Sequence, residues 1–307
     1  MKLQATVVVP THDHGPTLLR SVPSALAQTV DDLEVLIVGD GVPDTTRPIV
    51  DELMSQDRRV RFFDHPKGPR HGEIYRHQAL EGARGEIVCY LADDDLWLPQ
   101  HVETMRGLLR RADFAHALPL RVEPNGNLAL WSIDWTLTYY RDLMLGGRNR
   151  VPLSCGAHTL KRYRMLPHGW QTTPRDLATD LFMWQQFLTQ GDCRLASGSR
   201  PTVLHFASSQ RTDWSTRERL DELDAWSSNL ADPGWQQEFV LEVLDAVARD
   251  RARFEVQMTE RVDTLQRTLQ AAHQSITVRL RERIRHVPLA EPVLRSLAGI
   301  LAGARAR

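Results

Sequence analysis

Few cysteines, no long apolar run and almost no net charge are the first features of this 307-residue chain. Its three cysteines, Cys89, Cys155 and Cys193, are widely spaced and include no CxxC pair. This argues against a disulfide framework or a zinc site and points to a reducing compartment. No apolar run approaches the roughly 18 residues that cross a bilayer. The first residues lead straight into Val7-Val8-Val9, without a charged leader and an apolar region of signal-peptide length. A cytoplasmic protein is expected, with contact at the inner face of the membrane left open. Lysine and arginine total 38 against 39 acidic residues, a formal net charge of −1. That balance gives no basis for a nucleic-acid partner. Also absent are GxGxxG after a strand, the GxxxxGK(S/T) phosphate loop and the GxSxG elbow.

What is present is an alternation of strand and helix patterns. Apolar runs at 6–9, 33–38, 60–63 and 87–91 read as strands, and 17–28, 44–54, 72–83 and 99–111 as helices. Such alternation predicts a mostly parallel α/β sheet covered by helices on both faces. Right-handed crossovers then bring the strand ends at residues 10–13, 40 and 93–95 to one rim.

That rim is heavily acidic. Asp93-Asp94-Asp95 follows the buried-strand pattern Ile87-Val88-Cys89-Tyr90-Leu91. Three adjacent carboxylates repel unless a cation sits among them, and ligands bind at the carboxyl ends of such strands. A solvated turn capping the next helix is the alternative; the surroundings favour a divalent-metal site. His12-Asp13-His14 suggests a hydrolytic metal pair but lacks a third ligand at a convincing spacing.

Four segments share one pattern: Val7-Val8-Val9-Pro10-Thr11-His12-Asp13, the helix residues Ser21 to Thr29, Leu33-Glu34-Val35-Leu36-Ile37-Val38-Gly39-Asp40-Gly41, and Leu91-Ala92-Asp93-Asp94-Asp95-Leu96-Trp97-Leu98-Pro99. In order, spacing and residue type they resemble the glycosyltransferase family 2 enzymes, over roughly residues 3–107. The resemblance implies a GT-A, Rossmann-like fold, a nucleotide-sugar donor, Mg²⁺ or Mn²⁺, and a saccharide, lipid-linked or other hydroxyl acceptor. By position, Pro10, Thr11 and Asp13 match the loop that contacts the nucleoside, with Asp13 where the family usually has asparagine. Asp40 matches the aspartate that recognises the base or ribose, and Arg76 a basic residue near the nucleotide; an exposed helix arginine is equally compatible.

Aligned on Trp97-Leu98-Pro99, the family's Asp-x-Asp falls on Ala92 to Asp94. Asp93 then takes over the ribose contact and Asp94 the metal, with Asp95 in support. Counting Asp93 to Asp95 as the motif gives a different assignment; Asp94 is the preferred ligand. Cys155-Gly156-Ala157-His158 matches a small-residue loop near the acceptor. In Ala178-Thr179-Asp180 the family's glutamate is replaced by Thr179, while Asp180 matches the general base. His205 matches a late histidine that contacts the metal or the diphosphate. An inverting glycosyl transfer follows from these roles. A catalytically silent GT-A domain serving as a binding or scaffolding module is the alternative, supported by Ala92 and Thr179. A sugar nucleotidyltransferase lacks its Gly-rich, lysine-bearing loop here.

The aromatic residues Trp131, Trp135, Tyr139 and Tyr140 fit either core packing or a sugar pocket. Residues 1–207 are expected to form the GT-A domain and 208–307 a helical extension. Ser215-Thr216-Arg217-Glu218 reads as a capping box. After Gly234, apolar residues recur every three or four positions from Val240 to Ile284, interrupted at Arg251 and Ala272. A stripe that long needs a partner, either a second subunit or the chain folded back; a homodimer is preferred. Seven arginines within 277–307 read as a basic tail, either solvated or lying on an anionic membrane surface.

Overall fold

The computed structural model describes residues 3–285. Strand and helix alternate through β1 (Leu3–Thr11), α1 (Leu18–Leu26), β2 (Leu33–Asp40), α2 (Arg47–Gln56), β3 (Val60–His65), α3 (Glu73–Glu81) and β4 (Gly85–Tyr90). There follow β5 (Leu96–Trp97), α4 (His101–Leu109), β6 (Phe114–His116), β7 (Leu120–Val122), β8 (Leu128–Leu130) and α5 (Thr138–Leu145). The described chain closes with β9 (Gly156–Thr159), α6 (Leu160–Tyr163), α7 (Thr179–Leu188), β10 (Leu195–Ser197), β11 (Val203–His205), α8 (Thr216–Ala231) and α9 (Pro233–Arg285).

Seven strands form the main sheet, in the order β10-β6-β9-β4-β1-β2-β3. β3, β2, β1 and β4 run parallel, as the alternation predicts, and β9 enters antiparallel between β4 and β6. β2 is buried along its whole length, which explains its continuous apolar run. Glu34, near its start, accepts hydrogen bonds from the Thr6 hydroxyl (2.8 Å), the Arg84 amide (2.7 Å) and Arg84 Nε (2.9 Å). Those bonds satisfy a carboxylate that would be costly to bury bare.

A second sheet, β5-β11-β7-β8, is built of strands of two or three residues. It has its own apolar cluster, in which Leu96, Leu120 and Leu204 meet Leu223 and Trp226 of α8 and Phe239 of α9. One compact unit therefore extends to Asp250, beyond the boundary placed at 207, and a second begins at Arg251. The capping box is formed: Ser215 Oγ accepts from the Glu218 amide and Glu218 Oε2 from the Ser215 amide. Trp135 is core, tilted against Phe114 and met edge-on by His116, whereas Tyr139 is exposed and Trp131 lies under the Arg121 guanidinium. Cys89, Cys155 and Cys193 are free thiols. No helix among the described residues is long and apolar enough to cross a membrane.

Arg211 ties α8 to the second sheet. Fully buried, it donates to both Glu222 oxygens (2.6 and 2.7 Å) and to the Val122 carbonyl (3.0 Å). Replacing Arg211 with Met strands the Glu222 carboxylate and should cost about 3–5 kcal/mol in urea denaturation. Arg217→Ala removes an exposed pair with Asp221 and should cost less than about 1 kcal/mol.

Candidate active site

Strand register builds the site. Thr11 at the end of β1 lies opposite Gly39, and Val8 opposite Tyr90, so Asp40 and the acidic triplet flank the loop after β1. Together they open onto a pocket of about 770 Å³ that includes Pro10, Thr11, Asp13, Asp40, Arg76, Asp93 and Asp94 on its walls. Asp40 is held firmly: Oδ1 accepts from the Gly68 amide and Oδ2 from Lys67 Nζ, both at 2.6 Å. Lys67 also donates to the Gly68 and Arg70 carbonyls, pinning the loop that leads into α3. Gly72 closes that loop at φ 61°, where a Cβ would lie 2.5 Å from Asp40 Cγ. Only glycine suits that position.

The three aspartates have three different surroundings. Asp93 accepts from the Thr11 hydroxyl (2.7 Å) and lies 3.6 Å from His14 Nδ1. Its hydrogen bond raises the His14 pKa, outweighing the burial that lowers it. Asp94 Oδ2 accepts from the Ser208 hydroxyl (2.5 Å) and from Arg219 Nη1 (3.4 Å), and Oδ1 has no donor among the described residues. Burial, then the charges of Asp95 and Asp93, push the Asp94 pKa up to about 7. Asp95 is fully buried and structural in its bonding. It accepts from the Ser154 hydroxyl, the Phe206 amide (2.8 Å) and His205 Nδ1 (3.0 Å). Those bonds fasten the turn after β4 to β11.

Ligand atoms of His14, Asp93 and Asp94 lie within 4.8 Å of one another. Among the described residues this is the group that could share a metal ion, and neither Asp95 nor His205 belongs to it. Two carboxylates and an imidazole suit a divalent ion that accepts oxygen and nitrogen ligands.

Asp180, the second residue of α7, accepts from the Leu181 amide (2.8 Å). It is partly open to solvent yet closely surrounded by protein, and that desolvation raises its pKa against the hydrogen bonds of Leu181 and Asn149. Arg76 is buried, not an exposed helix residue: Nη2 donates to the His71 carbonyl, its plane covers Trp170, and Nε has no partner. Burial lowers its pKa, opposed by Glu73, Asp180 and Asp40 among its neighbours. Glu73, on the first turn of α3, accepts from the Thr173 amide and the Thr179 hydroxyl, both at 3.3 Å. A buried carboxylate from α3 therefore stands beside the threonine that replaces the family's glutamate.

The profile of the family described as Glycosyl transferase family 2 matches residues 6–169, more than half of the chain. The chain belongs to this family. A GalNAc(5)-diNAcBac-PP-undecaprenol beta-1,3-glucosyltransferase of Campylobacter jejuni is 30% identical over 130 residues, 40% of this chain and 40% of that protein. The succinoglycan biosynthesis protein ExoW of Rhizobium meliloti is 36% identical over 104 residues, 32% of this chain and 31% of its own. The chain thus spans well under half the length of either relative. Among solved structures, S. aureus TarS residues 1-349 in complex with UDP-GlcNAc superposes with a TM-score of 0.52 at 16% identity, covering 67% of this chain and 59% of that one. A mannosyltransferase from Pyrobaculum calidifontis in complex with GDP-Man and Mn2+ gives 0.50 at 15% identity, covering 81% and 76%. These are GT-A glycosyltransferases, and their likeness supports the GT-A fold expected from the strand order.

The family motifs lead to Asp40, Asp93, Asp94 and Asp180, but His14, Lys67, Glu73, Ser208 and Arg219 join the site through tertiary contacts. His14 alone had a local signal, its place in His12-Asp13-His14. In the metal-free protein at neutral pH, Asp94→Asn should leave stability unchanged or raise it, because ionising Asp94 is unfavourable in the fold. Stability from this group is lost as pH rises through about 7. Asp95→Ala should cost about 1–3 kcal/mol for each buried donor it abandons, measured by chemical denaturation.

Proposed function

We propose that this chain transfers a sugar from a nucleotide-diphosphate donor to an acceptor hydroxyl, with inversion at the anomeric carbon. The observation that carries this reading is the cluster of His14, Asp93 and Asp94, with ligand atoms within 4.8 Å, in one pocket with Asp40 and Arg76. Pro10, Thr11, Asp13 and Asp40 bind the nucleoside end of the donor. Asp93 takes the ribose contact, and Arg76, which lines the same pocket, lends positive charge on the nucleotide side. Asp94 and Asp93 would hold Mg²⁺ or Mn²⁺, and a bound ion would supply positive charge to offset that of the departing diphosphate. The Mn²⁺ and nucleotide-sugar complexes of the two solved neighbours support this donor class and cation.

Asp180 is the base. It takes the proton of the acceptor hydroxyl as that oxygen attacks the anomeric carbon from the face opposite the diphosphate. Its neighbour His205 feels Asp180 electrostatically. Asp95 holds His205 through Nδ1, which makes Asp95 a support for His205. The acceptor is a saccharide or lipid-linked saccharide, a class supported by the undecaprenol-linked compound in the Campylobacter relative's name.

The enzyme is read as cytoplasmic and as a homodimer joined through α9. In the unit beginning at Arg251, Phe254, Met258, Val262, Leu265, Leu269 and Ile276 are exposed at three-, four- and seven-residue steps, the seam a second helix covers. The proposed membrane contact falls largely beyond Arg285, outside the described residues.

Incubation with Mn²⁺ and a panel of nucleotide sugars should give transfer, or slow donor hydrolysis, with at least one donor; complete inertness favours the silent scaffold. Asp180→Asn should retain donor affinity and lose about 10²–10⁴-fold in kcat. In the wild type, kcat/KM should fall as pH drops through a value above the usual carboxyl pKa of about 4, because Asp180 must be ionised. The double substitution Leu265→Glu, Leu269→Glu should yield monomers in sedimentation velocity where the wild type gives dimers.

A further inference from the structure

Among the described residues, Arg219 is the one guanidinium placed directly against the preferred metal ligand. It lies on the first turn of α8, outside the segment matched by the family profile, and is more than nine-tenths buried. Nη1 is 3.4 Å from Asp94 Oδ2 and 3.3 Å from Ser208 Oγ, and Nη2 donates to the Arg211 carbonyl at 2.6 Å. The Arg211 end is tight and the Asp94 end is long and single-pointed. A guanidinium gripping a carboxylate fully would do so with two parallel bonds. Ser208 and Arg219 both occupy Oδ2, while Oδ1 has no donor among the described residues. Arg219 also shares the pocket wall with Asp93, Ser215 and Thr216.

We propose that Arg219 is the built-in counter-cation of Asp94, competing with a divalent ion for that carboxylate and turning to the donor's diphosphate when the ion is bound. The inference rests on the reading of Asp94 as a metal ligand. Two cations on one carboxylate repel, so Arg219 weakens binding of the bare ion. A diphosphate reverses the balance. It brings negative charge that both cations share, and a planar guanidinium suits two phosphate oxygens at once. The metal and the donor therefore bind in a coupled way: the ion alone is held poorly, and the ion with its nucleotide well. The site is thus biased against metal without substrate.

Calorimetric titration of the full chain tests this with opposite signs in one variant. MnCl₂ alone should bind Arg219→Gln about tenfold more tightly than wild type, whereas UDP and GDP under saturating Mn²⁺ should bind it about tenfold more weakly. Arg219→Lys keeps a charge but loses the fork, and should move both affinities the same way by smaller factors. It also serves if the glutamine variant does not fold by circular dichroism. Unchanged or weaker Mn²⁺ binding in the folded variants overturns the proposal, as does unchanged nucleoside-diphosphate affinity. Asp94→Asn separates the two readings. If it abolishes Mn²⁺ binding while the Arg219 variants match wild type, the counter-cation role alone fails. If wild type binds no Mn²⁺ even with UDP or GDP present, or Asp94→Asn binds it equally well, the ligand assignment fails and the counter-cation role with it.

Discussion

Repulsion among carboxylates at the carboxyl rim of the parallel sheet is the constraint around which this molecule is arranged. Parallel strands β1, β2 and β4 deliver Thr11, Asp40 and Asp93 to one edge by register alone, and each acid there has had to acquire a counter-group. Asp40 has Lys67 and an amide, Asp95 has His205 and two further donors, and Asp93 has Thr11 with His14 close by. Asp94 has Ser208 and a long contact from Arg219 on one oxygen, and burial with the charges of its acidic neighbours pushes its carboxyl upward. Functional sites keep such imbalance because the missing charge arrives with the ligand.

Strands β1 to β4 of the main sheet were legible because each is a run of six to nine residues with an apolar stretch. The runs at 33–38 and 60–63 became Leu33–Asp40 and Val60–His65, extended at their ends by residues too polar to count as apolar. The antiparallel β9 and the whole second sheet were not legible. Strands such as Leu96–Trp97 carry no periodicity, and their pairing depends on contacts between segments about a hundred residues apart. The long amphipathic helix was legible from its stripe, whereas the extension of the compact unit to Asp250 was not. That depends on where Leu223, Trp226 and Phe239 find apolar surface.

The same division holds in the site. Asp40, Asp94 and Asp180 follow strands or open helices and stand in motifs, so position along the chain reveals them. Arg219 and Ser208 reach Asp94 from more than a hundred residues away, and neither sits in a pattern that spacing could expose. Asp95 shows the limit of a motif from the other side. It belongs to the same acidic run as its neighbours, but its oxygens face inward and serve the turn and β11. Type and spacing located the cluster; orientation divided its labour.

Glu73 has a mechanical meaning beyond satisfying two donors. It stands one turn before Arg76 on α3 and meets Thr179, the residue before Asp180, on α7. A guanidinium on the pocket wall and the proposed base are thereby linked through one carboxylate, although a hundred residues of chain separate them. A displacement reaction is unforgiving about the gap between its entering and leaving groups, where an error of about 1 Å can cost a hundredfold. The contact between Glu73 and Thr179 bears on that gap, because it joins the two helices that carry these groups.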